Sequence, residues 1–203
     1  LPEVATQASV SYAQGSAPPR HFTTPNTFVP QAHLLSNGAY SVVVSNAGGG
    51  FSRYRPPAAG VPLAVTRWRE DITRDAFGSF CYIRDARSGL AWSAAYQPTR
   101  RESDGYSVTY LPEKAEVEQS VAGIQTRLEV AVSPEDNAEV RRISLTNRTS
   151  EPRELEVTSY AEIVLAPQSA DQAHPAFSDL FIETEFLPDE DALLATRRKR
   201  SPE

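Results

Sequence analysis

At 203 residues with 40% hydrophobic side chains, the chain has the size and apolar content of one sizeable all-β domain or two small ones. No stretch approaches the ~18 apolar residues of a membrane-spanning helix, and 20 Lys plus Arg against 26 Asp plus Glu, net −6, argues against nucleic acid as a partner, which calls for a clustered basic surface. One cysteine, Cys81, excludes an intrachain disulfide, and three histidines show no metal-ligand spacing, so no metal is expected.

Residues 1–32 are rich in Ala, Ser, Thr, Gln and Pro and lack periodicity, so they read as a linker, with a β-sandwich domain over 33–203. Leu1 is not an initiator and the chain contains no Met, so it reads as a piece of a longer polypeptide. In residues 38–46, Tyr40, Val42 and Val44 alternate with Val43, the period of a strand. Gly48, Gly49 and Gly50 end it. Glycine takes positive φ and has no Cβ, so the run marks a sharp bend or a close backbone approach. Phe51, Arg53, Tyr54 and Arg55 follow at once. Rings and guanidinium groups beside a bend make either a polar-ligand edge or a tight hairpin turn with partly buried neighbours.

Residues 63–69 read as a short strand running into a charged connection at 70–75. Residues 78–85 and 90–94 suggest a hairpin turning at Gly89, with Cys81 as a small buried hydrophobe. Residues 106–111, 115–121 and 124–132 form a meander; in its last strand Ile124, Leu128, Val130 and Val132 oppose Arg127 and Glu129. In 139–147, Val140 falls on the opposite parity to Ile143 and Leu145, which predicts a bulge near Arg141 and Arg142. Residues 153–165 are the longest strand candidate, with Leu155, Val157, Ala161, Ile163 and Leu165 on one face. A loop over 166–175 and strands over 177–186 and 192–196 follow. The whole predicts an all-β fold, a large antiparallel domain of two packed sheets, with strands that complete it beyond residue 203.

Three clusters are candidates for chemistry. Residues 66–71 alternate charge with an aromatic through Arg67, Trp68, Arg69 and Asp71. Sugar sites do the same, a ring stacking on the pyranose face while Arg and carboxylate bond hydroxyls; the alternative is a strand end with Trp68 inward and the charges solvated. Trp92, Tyr96 and Tyr82 read as core. His174, before Pro175, Ala176 and Phe177, is a general base or a turn histidine; without a nucleophile or orienting carboxylate the turn reading is preferred. The basic run Arg197, Arg198, Lys199, Arg200 reads as a solvated strand edge or loop. Phosphate loop, nucleophile elbow and zinc signature are all missing, and no catalytic residue is assigned.

The stretches SNGAYSVVVSNAGGGFSRYR, LAVTRWREDITRD, GSFCYIRDARSGLAWSAAYQPT, VSPEDNAEVRRISLTNRT and ELEVTSYAEIVLAP, with HPAFSDLFIETE, resemble the N-terminal β-sandwich of glycoside hydrolase family 94 over residues 33–203. That family comprises inverting disaccharide phosphorylases, and SYAEIVLAP with HPAF is most similar to its cyclic β-1,2-glucan synthase branch, bacterial inner-membrane enzymes. The resemblance implies a galactose-mutarotase-like super-sandwich preceding an (α/α)6 barrel that holds the proton-donating aspartate. Inorganic phosphate would be a co-substrate bound in that barrel, outside this chain, and no other cofactor is implied. Because phosphate is itself the nucleophile, one general acid suffices and no carboxylate pair is expected here. The implied function is a non-catalytic carbohydrate-binding and interface domain, on the cytoplasmic side of the membrane, supporting β-glucan processing. Arg53, Tyr54, Arg67, Trp68, Arg69 and Asp71 are its substrate-binding candidates, and Gly48, Gly49 and Gly50 form a bend toward the barrel. Implied partners are β-glucan, the barrel of the same chain and a second copy in a homodimer. Two alternatives stay open: a free-standing carbohydrate-binding module using Trp68 and Tyr54, and a purely structural interface domain.

Overall fold

The computed structural model describes residues 18–58, 60–69 and 77–198. Its elements are β1 (Arg20–Phe22), β2 (Ala32–Ser36), β3 (Tyr40–Ser45), β4 (Gly50–Tyr54), β5 (Leu63–Thr66), β6 (Ser79–Asp85), β7 (Ala91–Ser93) and β8 (Gly105–Tyr110). There follow β9 (Lys114–Val121), β10 (Ile124–Val132), β11 (Glu139–Asn147), β12 (Leu155–Ala161) and β13 (Ile163–Pro167). The helices α1 (Gln168–Ala173) and α2 (Pro175–Asp179) then lead to the hairpin β14 (Ile182–Leu187) and β15 (Ala192–Arg197).

Two five-stranded sheets, β1-β8-β9-β10-β11 and β13-β5-β4-β3-β2, dominate, with a three-stranded sheet β12-β6-β7 and the β14-β15 ribbon. The pairings are antiparallel. The core lies between the two large sheets and the short one. Tyr40, Val42 and Val44 from β3 meet Val108 and Tyr110 from β8, Val117 from β9, and Ile124, Leu128 and Val130 from β10. Ile83 and Trp92, both fully buried, close it from β6 and β7. Alternation makes this possible: in β9 every second residue is buried, Ala115, Val117, Gln119 and Val121. Burying each such aliphatic side chain contributes roughly 1.5–3 kcal/mol. Cys81 is half-buried and packs against the same core.

Four expectations are corrected. Ordered structure begins upstream of His33: Arg20–Phe22 pairs with β8, and the Arg20 guanidinium lies 4.9 Å from the Tyr110 ring centroid. No bulge interrupts β11, which pairs with β10 in unbroken register from Asn147 to Glu139. The parity conflict is resolved by charge: Glu139 and Arg141 turn inward as an ion pair of 2.7 Å, and Val140 is left 59% exposed. The long strand over 153–165 is two strands in different sheets, β12 on β6 and β13 on β5. The chain changes sheets around Glu162, so Val164 and Ala166 are buried, and Leu165 sits in the left-handed region at φ 48. Finally, residues 166–179 hold the two short helices, and the following strand starts only at Ile182. Pro175, with its φ preset, opens α2. Helices of 6 and 5 residues are too short to show a 3.6-residue period.

Candidate functional site

Strand alternation divides the segment after the glycine bend. Ser52 and Tyr54 turn toward the core side, Tyr54 opposite Tyr40, whereas Phe51 and Arg53 turn to the outer face of the β2–β5 sheet. Across that face Leu34, Val43 and Phe51 form one cross-strand row, and Leu34 is 62% exposed. Trp68, just beyond β5, is half-buried and packs on Phe51, with ring centroids 5.4 Å apart and planes at 54°. The Arg53 guanidinium lies 4.4 Å from the Phe51 centroid and donates from Nη2 to Oε1 of Gln168 at the start of α1. Two tilted rings with a positioned guanidinium thus share one half-open surface. Arg69 follows, its Nε buried and without an acceptor among the described residues.

Arg67 turns the other way, and its role differs from the expected one. Its Nε and Nη2 donate to both carboxylate oxygens of Asp171 in α1, at 3.1 and 2.9 Å. Its Nη1 donates to Glu162 at 2.9 Å and to Asp179 of α2 at 3.3 Å, and Nη2 also donates to Asp179. Burial works against the charge, but the hydrogen bonds to Asp179 and Asp171 outweigh it and hold the guanidinium above its ordinary pKa. With its donors committed to three carboxylates, Arg67 clamps the helices to the end of β5.

The glycine bend is required from within the domain. Gly50 has φ 148, and a Cβ there would lie 1.9 Å from the Val43 carbonyl oxygen across the β3–β4 pair. Gly48, at φ 91, would place a Cβ 2.3 Å from that of Ala95. Gly49 closes the turn, its carbonyl accepting from Ser45 N at 2.8 Å and its N–H donating to Ser45 Oγ at 3.0 Å.

Of the candidates, the structure brings Arg53 and Trp68 together on Phe51, assigns Tyr54 to the core side and Arg67 to the ion cluster, and leaves Arg69 next in sequence to Trp68; Asp71 lies outside the described residues. Phe51, named beside the bend but not among the substrate-binding candidates, and Gln168, which was not named, complete the platform. Period-two alternation would have selected Phe51 with Arg53 over Tyr54; Gln168 gave no sequence signal, being 115 residues from its partner. Among the described residues no group of three His, Cys, Asp or Glu side chains could hold a metal ion. His21 and His33 meet Thr109, Arg20 and the Leu111 carbonyl, and no described histidine hydrogen-bonds a carboxylate. No described helix is long and apolar enough to cross a membrane.

Residues 17–203 match the family model of the glycosyl hydrolase 94 supersandwich domain. The chain is 40% identical over 169 residues to cyclic beta-(1,2)-glucan synthase NdvB of Rhizobium meliloti (strain 1021), covering 83% of this chain and 6% of that protein. It is 27% identical over 176 residues to solabiose phosphorylase of Paenibacillus borealis, covering 86% of this chain and 22% of the relative. Against N,N'-diacetylchitobiose phosphorylase of Vibrio furnissii the identity is 25% over 166 residues, covering 81% and 20%. The chain therefore spans a small part of each relative's length. An all-β antiparallel architecture and a family match across most of the sequence agree, and the chain belongs to the supersandwich domains of glycoside hydrolase family 94.

Proposed function

We propose that this chain is the sugar-facing and interdomain sandwich of a β-glucan-processing synthase or phosphorylase, without catalytic groups of its own. The observation that carries the reading is the Phe51–Trp68 contact with Arg53 set over Phe51 on a half-open sheet face. Tilted rings offer a stacking surface to a pyranose, and the guanidinium offers donors to its hydroxyls. Similarity to a cyclic β-1,2-glucan synthase supports a β-linked glucan as the ligand class. In this reading the glycosyl transfer belongs to a following (α/α)6 barrel that also binds inorganic phosphate as co-substrate. The partners are the glucan, that barrel and a second copy of the chain, on the cytoplasmic side of a bacterial inner membrane.

The test is isothermal titration of β-1,2-gluco-oligosaccharides into the chain and into Trp68→Ala. Loss of the stack should weaken binding by on the order of 1 kcal/mol, with the circular dichroism spectrum unchanged. Unfolding of the variant would mark Trp68 as core, and release of glucose 1-phosphate by the chain alone would overturn the non-catalytic assignment.

A purely structural interface role is the second reading. It is favoured by the cross-strand pair Phe186 and Leu193 on the β14-β15 ribbon, 57% and 77% exposed. Absence of any sugar affinity in the same titration would select it.

A further inference from the structure

Between α1, α2 and the end of β15 lies a cleft of about 470 Å³ whose apolar wall includes Ala170, Phe177 and Phe181. None of Phe51, Arg53 and Trp68 lines it, so it is separate from the aromatic platform. Phe177 and Phe181 meet edge to face, centroids 5.2 Å apart and planes at 76°, and the Arg197 guanidinium lies 5.5 Å from the Phe181 centroid. Arg197 is held in place by Nη1, which donates to the carbonyls of Val164 at 3.0 Å and Ser178 at 3.2 Å and to Ser178 Oγ at 3.3 Å. Among the described residues no acceptor meets its Nε or Nη2, and no carboxylate pairs with it; the neighbouring Arg198 does have Glu183, at 3.3 Å.

A fixed, half-buried guanidinium with unmet donors on an apolar wall has a clear complement. It fits an anion carried on a body that has an apolar face, because a charge-assisted hydrogen bond is strongest where water is partly excluded. The lining also has a polar, solvent-exposed part: His174 and Arg198. Such a lining suits hydroxyl groups, which a hydrocarbon acid would lack. We propose that this cleft binds a monosaccharide bearing a phosphate or a carboxylate. The sugar ring packs on Phe177 and Phe181, the anion meets Arg197, and His174 and Arg198 bond hydroxyls. The proposal does not depend on the platform reading, which concerns a neutral glucan and other residues.

The experiment is isothermal titration of the 203-residue chain with glucose 6-phosphate, glucuronate, glucose and inorganic phosphate, repeated on Arg197→Gln and Phe177→Ala. Saturable binding of glucose 6-phosphate or glucuronate is expected, with glucose at least about tenfold weaker, the worth of one charge-assisted hydrogen bond, and inorganic phosphate weaker because it has no ring to pack on Phe177 and Phe181. The tighter of the two anionic sugars identifies the source of the charge. Arg197→Gln should remove the preference for the anion. If that variant loses its fold by circular dichroism, Phe177→Ala decides, since Phe177 is 45% exposed and its loss should weaken the sugar anion but not inorganic phosphate. No saturable binding, equal binding of neutral glucose, equal binding of inorganic phosphate, or unchanged affinity in Phe177→Ala would each overturn the proposal.

Discussion

Arg67 and Asp171, 104 residues apart, are joined by two parallel hydrogen bonds, Nε to Oδ2 at 3.1 Å and Nη2 to Oδ1 at 2.9 Å. Both side chains are nearly out of solvent, at 9% and 4% exposure, so the pair is a buried one. It is what fastens α1 to the end of β5, and with it the helix that carries Gln168 toward Arg53.

Removing one partner strands the other. Asp171→Ala should destabilise the fold by about 3–5 kcal/mol, the range for breaking a buried ion pair, lessened by the Glu162 and Asp179 contacts that remain. Arg67→Lys should also be costly, because an ammonium cannot make the forked contact. Urea unfolding measures both.

Acid sensitivity should have an identifiable source in Asp85. Its carboxylate accepts from Ser88 N at 2.8 Å and Arg87 N at 3.0 Å, capping the β6–β7 turn, and takes Arg153 Nε at 2.6 Å. The Ser88 bond first, then Arg153, lowers its pKa from 3.8 to about 2. A depressed folded pKa adds stability that is present above the unfolded value and is lost as pH falls from 3.8 through about 2. Glu129, held by Lys114 and Arg142, is lowered from 4.5 to about 2 and adds to the same window. Asp85→Asn should therefore be less stable than wild type near neutrality and converge with it in acid. Thermal melts from about pH 5 to pH 2 follow the difference.

Gly50→Ala should destabilise by more than the ~1 kcal/mol cost of unfavourable φ alone, because the added Cβ meets the Val43 carbonyl at 1.9 Å. Gly48→Ala should follow, against Ala95. Gly105→Ala, with nothing within 4 Å of its Cβ position, is the control and should stay within about 0.5 kcal/mol. Denaturant midpoints rank the three.

Period-two patterns were readable wherever a strand has one solvated and one buried face, as in β3, β9 and β10. They failed where another force outranked them. In β11 an inward Glu139–Arg141 pair displaced Val140 to the surface, with Ser52 and Tyr40 donating to Glu139 at 2.5 and 3.2 Å. At Glu162 the chain leaves one sheet for another, and no local pattern marks which sheet a strand joins. Arg53 and Trp68 were visible as site candidates because aromatic and guanidinium groups cluster in sequence. The partners that sort them, Asp171 for Arg67 and Gln168 for Arg53, are distant in sequence and on helices too short to announce themselves.

Tryptophan fluorescence reads the proposed glucan-binding surface of Trp68 and Phe51. The chain has 2 tryptophans, and Trp92 is fully buried, so a ligand on the platform should report through Trp68. Titration with β-1,2-gluco-oligosaccharides should give a saturable change in emission that disappears in Trp68→Phe. A flat titration of the wild-type chain, or the same change persisting in Trp68→Phe, would contradict that proposal.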